Sequence, residues 1–471
     1  MTPRQRQVAA AFLAAVLTRL LFHHLTGCTL DDAFITFRYA ENIAAGHGFV
    51  YNMGERVLGT TTPLFTLILS ALAYLGIPVI KSALIISLLS SGLTAVILYC
   101  FAQSLGFDRL SFIPVSLYIL FPRLLVTDTG GMETSLFTLM VTAAFYFQHK
   151  RLDVHAITAA ALASITRPEG FLVLGILMIY NVFKDRKQMI AGSFTAAVII
   201  LPWLVFAYFY FGSPIPNSVN AKLALYGRLG VMSFWENVAF LMGWRNPFGF
   251  PLFALAIAGG WWLKRKRAFG VPVIAWMIGM VVSLALSRTH LFLWYITPIY
   301  PLYLLFAGAV FPQINDRSKW FKQHANTITK LILAGTIIIL VIANYPTVRS
   351  YRSYQNTVET VHRAIGQYLQ THARSTDVVA AEDIGYIGYY CDLKIIDRDG
   401  LISPEVIPYN KSGDYLGVIL DYRPDWVVVW AQGPGSVFLD SSLFVERYRL
   451  REKFRSASGR EYHVFSMANK I

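Results

Sequence analysis

Two adjacent carboxylates, Asp31 and Asp32, open a polar stretch at residues 29–65 that also carries Arg38, Glu41, His47, Glu55 and Arg56 between apolar runs. Ionised groups are costly beside a bilayer, so such a cluster reads as a reaction site at a membrane face. Neighbouring carboxylates perturb each other's pKa, which suits one of them to accept a proton near neutral pH. Asp128 and Glu133, Arg167 and Glu169, Asn217 and Lys222, and then Arg288, His290 and Tyr295 fall in later short polar segments. Arg38, Arg167, Lys222, Arg288 and His290 are the cations suited to a phosphate, Arg being the better fork. Glu41, His47, Glu55, Arg56, Glu133, Glu169, Asn217 and Tyr295 are the candidates for contacts to the rest of a substrate. Asp31, Asp32, Asp128 and Glu133 supply hard oxygen ligands of the kind Mg²⁺ or Mn²⁺ accept, but no contiguous metal loop accompanies them. The cations could neutralise a phosphate without an ion, so metal dependence stays open.

Each group also has a plainer reading. Asp31 suits the N-cap of a helix opening at Ala33, and Arg38 and Glu41, three apart on that helix, suit an ion pair. His47 lies between Gly46 and Gly48, as a turn alone would require. Arg167 with Glu169 suits a helix-end pair, and Arg288 and His290 suit interfacial anchors beside Trp294 and Tyr295. Gly385 and residues 397–400 read as turns, with glycan binding as the alternative. Arg19, inside the first apolar run, reads as a side chain snorkelling to the interface.

The elements that must position these groups are transmembrane helices. The chain of 471 residues is 55% hydrophobic and only 14% charged, which excludes an ordinary soluble enzyme. Its net charge of +14 does not indicate nucleic acid, because the basic residues sit in short clusters between apolar runs, at 4–6, 150–151, 184–187, 264–267 and 317–322. That distribution is the positive-inside pattern. Residues 1–22 read as an uncleaved signal anchor, although Leu25, Thr26, Gly27 and Cys28 resemble a lipoprotein cleavage box. Of the three cysteines, Cys28 and Cys391 could bridge, and no metal spacing is present. With the basic clusters inside, about eleven spans follow, among them 8–24, 82–103, 112–126, 156–165, 192–210, 248–263 and 331–345. This path keeps 63–75 and the apolar part of 231–242 from crossing, makes 211–237 a long external loop, and puts the N-terminus in the cytoplasm and the tail outside. Residues 346–471 change composition: 357–370 have helical periodicity, and 377–381, 394–397 and 426–430 read as strands of a small α/β domain.

The segments DDAFITFRYAENIAAGHGFVYNMGERV, GGMET at 130–134, TRPEG at 166–170, FGSPIPNSVNAK at 211–222, DIGYIGYY and IIDRDGL together resemble the GT-C type membrane glycosyltransferases, which take sugar from a polyprenyl phosphate. Within that class the resemblance is to bacterial proteins of the mycobacterial terminal arabinofuranosyltransferase kind. It implies a transmembrane GT-C module at 1–345, with a catalytic first external loop at 29–65, and an extracytoplasmic domain at 346–471. It further implies an inverting transfer on the outer side of the cytoplasmic membrane, with a polyprenyl-phosphate sugar as donor and a glycan, lipid or protein as acceptor. The partners are then that donor, that acceptor and the bilayer, and no nucleic acid. The base is expected to be Asp31, the first acid of the loop motif, with Asp32 as the alternative. Two other classes stay in view: a transporter or flippase of lipid-linked sugar, and a non-catalytic membrane-anchored glycan-binding protein. The first needs key charges at the bilayer midplane and an internal repeat; the second leaves the acidic loop unexplained.

Overall fold

The computed structural model describes residues 2–182, 186–229, 233–241, 249–265, 270–287, 290–317 and 323–469. Among these, four helices are long and apolar enough to cross a membrane: Pro3–Thr26, Val79–Ser104, Lys187–Phe211 and Leu293–Gln313. A bent pair, Asp108–Leu120 with Pro122–Thr129, passes the same test when its halves are taken together, and shorter apolar helices, including Asp153–Thr166, Gly170–Val182 and Val271–Leu286, complete the bundle. The chain is a multi-pass membrane protein. Several of the eleven expected spans are these shorter helices. The basic loops on which orientation rests, at 184–187, 264–267 and 317–322, lie wholly or partly outside the described residues, as does Arg288.

The first helix begins with a reciprocal cap: Thr2 accepts from the Gln5 amide, and the Gln5 side chain accepts from the Thr2 amide. It ends at Gly27, whose φ of 62° a residue with a Cβ adopts less easily. Helix Pro63–Tyr74, with 12 residues, belongs to the same class of short apolar helices. Phe234–Leu241 is shorter still, at 8 residues.

The expected straight span at 112–126 is instead broken. Pro122 has no N–H to donate and forces Phe121 into extended backbone, at φ −67° and ψ 120°. The two halves meet at 58°. The break frees carbonyls at the end of the first half, and Arg19 takes them: its Nη1 donates to Ile119 O at 2.6 Å and its Nη2 to Tyr118 O at 3.2 Å. The same guanidinium pairs with Asp128 on the second half, at 3.0 Å, with both side chains fully buried. Arg19 therefore does not snorkel. It staples a broken helix, and Asp128 is occupied inside the bundle.

The other corrections concern connections. Residues 211–237, expected as a loop, contain helix Asn217–Leu229. The last long helix, Ala325–Thr357, runs through position 345, where the two modules were expected to part, and continues as one π-helical turn, Val358–Arg363, and then Ala364–His372. A stiff strut thus joins bundle and tail. The tail folds as a five-stranded sheet in the order β2-β1-β3-β5-β4, made of β1 (Val378–Ala381), β2 (Lys394–Asp397), β3 (Trp426–Trp430), β4 (Tyr448–Arg455) and β5 (Glu461–Met467). The three parallel strands are the apolar ones seen in the sequence. The antiparallel hairpin of β4 and β5 escaped notice because β4, at the sheet edge, is almost wholly exposed and charged, as an edge strand that resists aggregation should be. Cys28, Cys100 and Cys391 are all free thiols.

The first loop is not a free flap. Ile35, Tyr39, Phe49, Tyr51 and Leu58 share one apolar core with Val379, Ile395 and Trp426 of the sheet. Residues 29–65 are therefore a plate pressed between the bundle and the C-terminal domain.

Candidate active site

Helix Asp31–Ala44 lies against the GGMET segment because two glycines let it. Leu30 N donates to Gly130 O at 2.9 Å. A Cβ at Gly130 would stand 2.7 Å from the Leu30 side chain, and Gly131 has a φ of +80°. This contact sets Asp32 opposite Glu133. Both line a cavity of about 210 Å³ with Thr36, Thr60, Thr62, Arg167, Glu169, Lys222, Trp294, Tyr295 and Leu401.

Arg167 is the centre of its electrostatics. It pairs with Glu133 at 2.6 Å and forks onto Glu169, with Nη2 at 2.8 Å and Nε at 3.2 Å. Its guanidinium also sits 5.4 Å from the centre of the Tyr295 ring. Two carboxylates around one guanidinium leave the trio net negative, so Arg167 organises the cavity rather than offering free positive charge. Lys222, carried by helix Asn217–Leu229, donates to Tyr295 Oη at 3.1 Å and has no carboxylate in ion-pair reach among the described residues. Burial pushes the Asp32 carboxyl up to about 6; the facing charge of Lys222 opposes this, and Asp31, Asp383 and Glu133 reinforce it. Asp32 is thus poised to exchange a proton close to neutral pH.

The other acid of the pair points elsewhere. Asp31 accepts from the backbone amides of Gly385 at 3.1 Å and Tyr386 at 3.0 Å, and lies 3.3 Å from His362 Nδ1. A Cβ at Gly385 would fall 2.0 Å from the Asp31 carbonyl oxygen, so the glycine of DIGYIGYY is what admits this contact. Asp31 docks the C-terminal domain; it does not line the cavity. Arg38, expected on a phosphate, is likewise a clamp. Its guanidinium donates to the carbonyls of Tyr51 at 3.0 Å, Leu393 at 2.7 Å and Gly388, and stacks over the Tyr51 ring. Arg38→Lys keeps the charge but can reach only some of these carbonyls. It should lower the thermal midpoint of the purified protein; an unchanged midpoint would mean that Arg38 does not clamp the tail.

Further expected site residues also sit apart from the cavity. Glu41 accepts from Tyr389 Oη rather than pairing with Arg38. His47 is exposed. Glu55 pairs with Lys394, and Arg56 lies over the Tyr210 ring. Asn217 donates to the carbonyls of Gly400 and Leu401, at 2.7 and 3.0 Å, and so ties the helix that carries Lys222 to the C-terminal domain. His290 packs beside Tyr226 and Phe292. Asp31, Asp32, Asp128 and Glu133 do not converge as a metal set; among the described residues the group that comes together is Asp31, His362 and Asp383, within 4.8 Å. Missed from sequence were the hydroxyls of Thr36, Thr60 and Thr62, which hydrogen-bond one another at 3.0 to 3.5 Å, and Leu401; the turn at 397–400, read as structural with glycan binding as the alternative, reaches the site through Asp399.

The fold resembles that of the GT-C class of membrane glycosyltransferases. Across 98% of either chain, the fold is that of ArnT from Cupriavidus metallidurans bound to undecaprenyl phosphate, with a TM-score of 0.63 at 14% identity; the apo form of the same protein matches at 0.61 and 12% over the same share. In sequence, the chain is 25% identical over 279 residues to the terminal β-(1→2)-arabinofuranosyltransferase of Mycobacterium tuberculosis, a match covering 52% of this chain and 43% of that protein. The chain therefore spans less than half the length of that relative. Residues 347–465, the strut's end and the sheet, match a family described as a domain of unknown function, DUF8728.

Proposed function

We propose that the protein transfers a sugar from a polyprenyl phosphate to an acceptor hydroxyl on the outer face of the cytoplasmic membrane, with inversion at the anomeric carbon. The observation that carries this reading is one cavity holding a buried carboxyl, Asp32, which burial pushes up to about 6, and an ammonium, Lys222, with no carboxylate in ion-pair reach among the described residues. A sugar on polyprenyl phosphate brings its own leaving group, so the protein has to accept a proton, tolerate positive charge at the anomeric carbon and hold the departing phosphate. In a single displacement, the acceptor hydroxyl gives its proton to Asp32 as its oxygen bonds to the anomeric carbon. The bond from that carbon to the phosphate oxygen breaks, and its electron pair leaves on the polyprenyl phosphate, which Lys222 receives. Glu133 and Glu169, held by Arg167, favour positive charge developing on the sugar. The likeness to ArnT with bound undecaprenyl phosphate and to the mycobacterial arabinofuranosyltransferase supports the donor class. The positive-inside pattern supports a cytoplasmic N-terminus and an external tail. A flippase would need charges along a midplane path, whereas the cavity residues come from the first loop and the short polar segments between apolar helices, with Leu401 of the C-terminal domain.

Purified protein offered a panel of synthetic polyprenyl-phosphate sugars should discharge at least one of them, with release of free polyprenyl phosphate. Lys222→Met should raise donor KM by about tenfold or more, the loss of one hydrogen-bonded charge. Failure to discharge any donor in the panel would overturn the transferase reading.

A further inference from the structure

A second, smaller chamber of about 60 Å³ opens beside the main cavity, lined by Asp32, Lys222, Tyr226, Phe292, Asp399 and Leu401 among others. Asp32, Lys222 and Leu401 line both spaces, so the chamber reaches the proposed base from the side of the C-terminal domain. The volume is several times the 10–15 Å³ or so that one water requires. Beyond helix Asn217–Leu229 an open groove runs between Asn220 and Leu223 on the helix and Pro404 to Lys411 on the domain.

The two carboxylates of the DRDGL turn have different situations. Asp397 is fully buried and accepts from the backbone amides of Asp399 at 2.9 Å, Leu401 at 2.6 Å and Ile402 at 3.1 Å. That residue, with Gly400 at φ +88°, is what shapes the turn. The Asp399 side chain has no hydrogen bond or ion pair among the described residues, although it is mostly enclosed and lines the same chamber as Asp32. A turn residue needed only for shape would be expected to use its side chain as Asp397 does. Burial, together with the neighbouring carboxylates Asp397, Glu382 and Asp383, pushes the Asp399 carboxyl well above the usual carboxylate range. A carboxyl held in this way can donate to a hydroxyl as well as accept from one. Phe292 supplies an apolar wall beside it, its ring stacked on Trp294 at 4.5 Å with the Lys222 ammonium 5.5 Å from its centre.

Resting on the transferase reading, we propose that this chamber is the acceptor subsite, that the acceptor is a glycan, and that Asp399 binds a pair of its hydroxyls so that a third faces Asp32. The C-terminal domain thereby contributes a substrate-binding residue to a site otherwise built by the membrane module.

The test begins with full-length protein in detergent, without donor, and a panel of alkyl glycosides as probes. Wild type should bind at least one glycoside, and Asp399→Asn should bind it about tenfold more weakly or worse at an unchanged thermal midpoint, because Asp397 still holds the turn. With donor present, Asp399→Asn should raise acceptor KM by a similar factor while donor KM and donor discharge into water stay at wild-type values. Deoxygenating the recognised hydroxyl should cost the wild type and not the variant. Equal glycoside affinity in the two proteins, or a donor KM that rises in step with the acceptor KM, would overturn the proposal. Glycoside binding that depends on Asp399 in a protein that discharges no donor would instead overturn the transferase reading and leave the glycan subsite standing.

Discussion

Asp32→Asn is expected to lower the rate of sugar transfer by about 10² to 10⁴, the usual worth of a positioned base, while donor affinity and thermal midpoint stay near wild type. The amide matches the carboxylate in size but accepts no proton. Only the ionised carboxylate can act, and burial sets its pKa at about 6. The wild-type kcat/KM should therefore fall as pH drops through about 6 and level off above it. A wild-type rate in the Asp32 variant, or a profile without that acidic limb, would remove the base from this position. Asp31→Asn makes the useful contrast. Its carboxylate receives two backbone amides and His362 from the tail, so the variant should lose about 1–3 kcal/mol of stability, the worth of hydrogen bonds to a charged group. Transfer per folded molecule should largely survive. Inactive, fully stable Asp31→Asn would return the base to the first acid.

The second large effect is expected far from the cavity, at Arg19. Its guanidinium is fully buried against Asp128 and two carbonyls freed by the Pro122 break. Arg19→Met leaves a carboxylate uncompensated inside the bundle. Removing one partner of a buried pair costs about 3–5 kcal/mol, whereas replacing both with apolar residues of similar volume is often close to neutral. Denaturation of the protein in detergent should therefore show a large loss for Arg19→Met and a substantial recovery in the double variant Arg19→Met/Asp128→Leu. Equal stability of Arg19→Met and wild type would mean that the pair does not hold the bend.

Both expectations show how far local pattern reaches. That the chain is a multi-pass helical membrane protein with a small α/β tail follows from composition and from runs of apolar residues, because burial of backbone in lipid leaves little choice but helices. Strands β1 to β3 were equally legible, being short apolar runs between turn residues. The polar first loop, GGMET, TRPEG and the Lys222 segment were recognised as places where chemistry could occur, since charged residues beside apolar spans have few other reasons to be there.

Which carboxylate faces the cavity was not legible. Asp31 and Asp32 are one residue apart on a helix, so they point about 100° away from each other, and nothing local says which direction is the cavity. That is decided by two glycine contacts, Gly130 under Leu30 and Gly385 over Asp31, made by segments about 100 and 350 residues away. Arg38 and Arg167 look alike in sequence, yet one is spent on carbonyls of the first loop and the tail and the other on two glutamates. Asp397 and Asp399 are alike in type and share one turn; only the packing of helix Asn217–Leu229 against that turn leaves the second of them open to the chamber. Residue type fixes what a side chain can do, and period fixes which element carries it. What it does do depends on which distant backbone reaches it first, and that is settled only when the chain is folded.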